Sequence, residues 1–288
     1  MNEYVIFADT ACDISPELLA EWGVPYESLT FKFDDSDKIY KNNDMSAAEF
    51  YDKMKAGGIA KTAAANPEVF AAAFGKVLEE GKDLLYLGFS SGLSTTFNSA
   101  RIAANELSEK YPERKIIVID TLAASAGIGL LIRLVLDKKE AGATIEEAAE
   151  YAKELLPGLC HWFTVDDLVY LKRGGRISAA AAFFGNMIGI KPVLHVDDEG
   201  HLVPVTKVRG RKTSISTIAD MYGELAKDKE GGLVYISHGA CENDANALAT
   251  ILNERYGAKV SIITDVGTVI GAHSGPGTLA LFFIGTHR

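Results

Sequence analysis

Short apolar runs alternate with amphipathic stretches through the first half of the chain, and each run ends on a polar residue. The run over 4–8 stops at Asp9, the run over 84–89 meets Ser90, and the run over 115–119 stops at Asp120. Runs of this length read as buried strands, and strands separated by helices join in parallel with helices on both faces. The alternation predicts an α/β fold whose first sheet is mostly parallel. Asp9, Ser90 and Asp120 then share its carboxyl edge, where such sheets take ligands. Helix starts are marked by Ser15-Pro16 and by Ser46 with Glu49 three residues on. The run over 24–33 reads as one strand, residues 61–67 as a loop, and residues 125–141 and 144–156 as helices.

Pro157-Gly158 divides the chain into two expected α/β domains, 1–157 and 158–288. In the second, runs over 192–196 and 202–208 flank the turn Asp197-Asp198-Glu199-Gly200 and predict a β-hairpin in a mixed sheet. Basic segments stand at Lys172-Arg173-Gly174-Gly175-Arg176 and at Lys207-Val208-Arg209-Gly210-Arg211-Lys212. A further strand over 260–266 leads to Val269-Ile270-Gly271-Ala272-His273-Ser274-Gly275-Pro276-Gly277-Thr278, where a histidine sits among glycines. That stretch reads as a structured turn, with His273 able to hydrogen-bond or titrate near neutral pH.

The 288 residues are 48% hydrophobic, enough for a large core, and the formal net charge of −10 argues against a nucleic-acid surface. Cys12, Cys160 and Cys241 are odd in number and far apart, so they fit neither a disulfide framework nor a zinc site. Reduced buried thiols, no leader-like start and no apolar stretch of about 20 residues lead to the expectation of a soluble, cytoplasmic protein. A monomer is the default, since no heptad or apolar edge stands out.

Four constellations could carry chemistry. Thr62 with Asn66 is a weak one. Gly88-Phe89-Ser90-Ser91-Gly92 matches G-x-S-x-G, so Ser90 with His273 and Asp265 would make a serine hydrolase or esterase. Against that, no His-Gly-Gly segment precedes it and the helix pattern begins only near Ser94. The other reading is a hydroxyl-rich loop of Ser90, Ser91, Ser94 and Thr95 at a helix start that holds a carboxylate or phosphate. The two basic segments suit a phosphoryl group or an acidic partner. Asp9, Asp13 and Asp120 lack the spacing of a metal site, and capping suits them better.

In order along the chain stand Asp9-Thr10-x-x-Asp13-Ile14, Thr62 with Asn66-Pro67, Ser90-Ser91-Gly92-Leu93-Ser94, and 170–178. Lys191-Pro192, Lys207-Val208-Arg209 and the glycine stretch around His273 follow. Taken together they resemble the DegV family of bacterial fatty-acid-binding proteins over almost the whole length. The resemblance implies two α/β domains with an acyl chain buried at or near their interface. It implies that Thr62, Ser94 and His273 hold the carboxylate of a long-chain fatty acid, supported by Ser91, Thr95 and Gly275. It also implies that the acid passes to a separate ATP-binding fatty acid kinase subunit and becomes an acyl phosphate for phospholipid metabolism. Arg209 would serve that transfer, not binding. No cofactor and no metal is implied, the chain itself is expected not to be an enzyme, and transient membrane contact is allowed for. Ala63-Ala64 and Thr95 depart from the family's usual Ser-Gln and Gly, at the carboxylate end. Phe97, Ile102, Phe163, Phe183, Phe184, Met187 and Ile188 are candidate tunnel residues.

Overall fold

The computed structural model describes residues 3–177 and 189–288. The expected α/β architecture is present. The first half holds strands β1 (Tyr4–Asp9), β2 (Tyr26–Glu27), β3 (Thr30–Phe33), β4 (Tyr40–Lys41), β5 (Ala60–Ala63), β6 (Asp83–Gly88) and β7 (Ile116–Asp120), with helices between all but β2, β3 and β4. The helices are α1 (Pro16–Glu21), α2 (Ala47–Lys55), α3 (Pro67–Glu79), α4 (Thr96–Lys110), α5 (Ala126–Glu140) and α6 (Ile145–Leu155). Strands β2, β1, β6 and β7 form a parallel sheet in that order, so Asp9 on β1 and Asp120 on β7 end at one carboxyl edge, on either side of β6. Pro16 opens α1 behind the cap Ser15, and Ser46 and Glu49 make the reciprocal capping box of α2.

Two local expectations change. The run over 24–33 is two strands in different sheets. Between them Leu29 N–H donates to Thr10 Oγ1 at 3.0 Å and Leu29 C=O accepts from Asn42 N at 2.9 Å. These partners satisfy the backbone where the chain leaves one sheet for the next. The stretch 61–67 is not all loop, because Lys61 and Thr62 pair antiparallel with Lys32 and Phe31. Strands β4, β3 and β5 make a small antiparallel sheet that the alternation did not foreshadow. Tertiary pairing outweighs the weak strand preference of Ala-Lys-Thr-Ala.

After the 3₁₀ turn Leu156–Gly158 come β8 (Leu159–Thr164), α7 (Val169–Arg173), β9 (Ile190–Val196), β10 (Leu202–Arg209) and α8 (Arg211–Leu225). They are followed by β11 (Val234–His238), α9 (Glu242–Tyr256), β12 (Val260–Asp265), α10 (Thr268–Ser274) and β13 (Leu279–Ile284). The six-stranded sheet runs β10-β9-β8-β13-β11-β12. Only the β11–β12 pair is parallel, and β9–β10 is the expected hairpin. The largest apolar cluster contains Leu87, Ile128 and Leu131 together with Phe163, Leu194 and Phe282, so core packing crosses residue 158. Among the described residues no helix is long and apolar enough to cross a membrane. Cys12 and Cys160 are buried and Cys241 half-buried, all unpaired.

Candidate functional site

A mostly apolar cavity of about 440 Å³ lies where the two halves meet. Its walls come from β5, the loop between β6 and α4, and the start of α5 on one side. On the other they come from β8, β11, α10 and β13. That size suits a small organic ligand buried over most of its surface.

At one part of the wall β5 and α10 bring Thr62 and His273 together, with Oγ1 to Nε2 at 2.7 Å. The register that pairs Phe31 with Thr62 places this side chain. Burial, then the charge of Arg176, pushes the His273 imidazole down to about 4, so it is neutral near pH 7. Its Nδ1 is buried without a hydrogen-bond partner. An orphaned N–H costs more than an orphaned lone pair, so the proton belongs on Nε2. The ring then donates to Thr62, which leaves the threonine proton for a ligand.

Ser94 stands on the loop before α4. Its Oγ accepts from Thr96 N at 3.2 Å and lies 2.9 Å from Thr96 Oγ1. With Thr96 donating both bonds, the Ser94 proton is also available. Ser91, Thr95, Ala63 and Ala64 line the same cavity.

In the sequence Arg176 stands out only as part of a basic loop. It turns inward, lines the cavity, and donates from Nε to Leu93 C=O at 3.1 Å and from Nη1 to Gly174 C=O at 2.5 Å. Half-buried and without a carboxylate partner among the described residues, it is a cation beside two hydroxyl donors. Its sequence signal was weak, because one arginine in a basic loop looks like its neighbours.

The stretch around His273 is a short helix, α10, and not a turn. His273 lies in its last turn, and Gly275 ends it at φ 80°. A Cβ at Gly275 would come within 2.3 Å of the Tyr170 ring, so the position demands glycine twice over. The segment 209–212 is also not a loop. Arg209 ends β10, Gly210 turns at φ 89°, and Arg211 opens α8. Arg209 is exposed and does not line the cavity. Part of the positive patch is neutralised: Arg211 pairs with Asp244 at 2.8 Å.

The hydrolase arrangement is not formed. Ser90 is fully buried, with Oγ donating to Gly200 C=O at 2.9 Å and accepting from Gly92 N at 3.2 Å. Asp265 faces His238 at 3.5 Å, not His273. The other carboxylates are held by hydrogen bonds: Asp9 by Tyr86 O–H at 2.6 Å, and Asp120 by the Ser91 and Leu122 amides at 3.1 and 3.2 Å. Of the tunnel candidates, Phe163 lines the cavity. Phe97 packs in the cluster between α3 and α4, and Ile102 is exposed, because the phase of α4 turns Ala100, Ala103 and Leu107 inward. Phe183, Phe184, Met187 and Ile188 lie outside the described residues. Leu29, Leu202 and Phe282 are lining residues that no motif marked.

The DegV family model matches residues 3–286. The chain belongs to the DegV family. A DegV domain-containing protein of Clostridium perfringens is 38% identical over 286 residues, covering 99% of this chain and 98% of its own. Among solved structures, a DegV family protein of Thermus thermophilus described by its fatty acid binding superposes with a TM-score of 0.89 at 29% identity. That match covers 99% of this chain and 100% of the other. A stearic acid-binding protein of Eubacterium ventriosum gives 0.88 at 26% identity, over 97% and 98% of the two chains.

Proposed function

We propose that this DegV protein binds a long-chain fatty acid in the 440 Å³ cavity, with the carboxylate at Thr62, Ser94 and His273. One observation carries the orientation. Two polar parts of the cavity wall differ in character. Thr62, Ser94 and neutral His273 stand with the cation Arg176, whereas Ser125 and Ser237 are backed by the buried carboxyl of Asp13. An anion is stabilised at the first, and the second, backed by a carboxyl, offers it no cation. A carboxylate in a dry pocket must be hydrogen-bonded, and two hydroxyls with a guanidinium do this. The tail supplies most of the affinity: about fourteen methylenes at about 0.8 kcal/mol each give a gross term of about 11 kcal/mol, which ordering and association reduce.

In this reading the protein is a carrier and not a catalyst. It hands its cargo to a separate ATP-binding subunit that forms the acyl phosphate, and exposed Arg209 lies on the surface that meets that subunit. The relatives' described fatty-acid ligands support the first part, and the family resemblance supports the second. Denaturing extraction of the purified protein followed by mass spectrometry tests the binding. A stoichiometric fatty acid is expected. An empty extract, with no uptake on incubation, refutes the reading. Arg209→Ala is expected to bind lipid and fail to support its phosphorylation; loss of lipid binding would remove the role given to Arg209.

A further inference from the structure

The second polar region has a defined hydrogen-bond order. Ser125 Oγ lies 2.5 Å from Asp13 Oδ2 and 2.9 Å from Ser237 Oγ. Asp13 Oδ1 is already taken by the Gly267 amide at 3.0 Å. Ser125 and Ser237 line the cavity, one just ahead of α5 and the other on β11, and Asp13 stands behind them.

A serine hydroxyl has one proton and two lone pairs. With Asp13 ionised, Ser125 donates to the carboxylate and must accept from Ser237. Ser237 then has spent its proton and keeps acceptor capacity. With Asp13 protonated the relay reverses: Asp13 donates to Ser125, Ser125 to Ser237, and the Ser237 proton is free. In either state Ser237 retains bonding capacity for which no protein partner exists among the described residues. A methylene satisfies neither state and a carbonyl only the second. A hydroxyl, being both donor and acceptor, satisfies both.

The backbone around the relay is strained. Asp13 and Ser125 hold φ at 50° and 56°, a region unfavourable to residues with side chains. Glycine would relieve the strain at either position but would remove the relay.

The geometry points to a second polar subsite in the cavity, formed by Ser237 and Ser125 over Asp13, that takes a hydroxyl borne on the acyl chain of the ligand. The subsite rests on the fatty-acid reading, and it makes the protein a receptor for hydroxylated long-chain acids as well as plain ones. A hydroxyl placed elsewhere along an apolar wall loses its water partners without replacement.

The test is displacement of a bound fluorescent fatty acid from the full chain by stearic acid and by a positional series of monohydroxystearic acids. One isomer is expected to match stearic acid or exceed it, while isomers hydroxylated elsewhere bind about tenfold or more weakly. In Ser237→Ala the ratio of that isomer's affinity to stearic acid's falls by about tenfold, because the paired hydroxyl is orphaned. Equal weakening of every isomer in the wild type overturns the subsite while leaving the fatty-acid reading intact. So does a ratio unchanged by Ser237→Ala. If that variant does not fold, the positional series on the wild type decides alone. Failure of both the fluorescent fatty acid and stearic acid to bind overturns both readings.

Discussion

Gly174 lies directly against the imidazole of His273: a Cβ built on it would come within 2.2 Å of Nδ1. The two residues are remote in sequence, and α7 brings the glycine to α10. Gly174 itself is helical, with φ −71° and ψ −11°, so its backbone does not require glycine. The space does. Gly174→Ala is therefore expected to keep the fold and displace the His273 ring from Thr62. Fatty-acid affinity should fall by about tenfold with little change in Tm. Unchanged affinity would show that the ring position does not matter for binding.

Arg176 is the cation of the site, and its removal should be selective. Arg176→Leu should weaken binding of a fatty acid by about 10- to 100-fold, the range for a charge-assisted hydrogen bond in a dry pocket. The corresponding fatty alcohol should bind nearly as before. A parallel loss for acid and alcohol would mean that Arg176 acts by packing alone.

His273 was legible in the sequence and Arg176 was not. His273 sits among glycines whose close contacts leave a readable pattern. Arg176 shares its loop with Lys172 and Arg173, and only the fold turns it inward. The parallel sheet was legible because each strand run ends in a polar residue. The sheet of β3, β4 and β5 was not, because Ala60–Ala63 carries no alternation and pairs only through β3. The hairpin of β9 and β10 was legible from its glycine turn. The cavity wall was the least legible part, since lining and core residues are chemically the same and differ only in what lies opposite them.

Asp13 gives the protein a pH-dependent stability. Burial is the main cause, and it raises the carboxyl to about 7 despite hydrogen bonds from Ser125 and Gly267; the nearby carboxylates Asp265 and Asp9 add to the rise. The folded protein holds this proton more tightly than the unfolded chain. The destabilisation thus grows as pH rises from about 4 to about 7 and is constant above. Asp13→Asn should gain stability over the wild type on going from pH 5 to pH 8, by about 2 to 3 kcal/mol. Paired thermal melts at the two pH values read this directly; a constant difference would refute it.

His161 behaves in the opposite sense. Its Nδ1 lies 3.0 Å from Leu159 C=O and its Nε2 accepts from Ala124 N at 3.3 Å, an arrangement that needs the neutral ring. Burial, then the charge of Arg288, pushes it down to about 3. Its contribution to stability is complete above pH 6.5 and is lost as pH falls toward 3. Imidazole NMR should show His161 and His273 both neutral at pH 6, a state that titration above pH 5.5 would contradict.

Arg288 is buried with its guanidinium against four carbonyls. Nη1 donates to Leu122 at 2.6 Å and Asp197 at 3.1 Å, Nη2 to Thr121 at 3.0 Å, and Nε to Leu156 at 2.8 Å. Arg288→Ala orphans these acceptors and should cost about 3 kcal/mol, measured by denaturant unfolding. A change below about 0.5 kcal/mol would show that water replaces the side chain.

The cavity draws its walls from both sides of Pro157, and the largest apolar cluster crosses the same line. An occupant is therefore mortar as well as freight. Loading ties the halves by the free energy of binding, and discharge withdraws that tie, so the empty protein melts earlier than the loaded one by an amount set by ligand concentration and affinity. Under the carrier reading, a recipient of the cargo would meet a shell that loosens as it gives the cargo up.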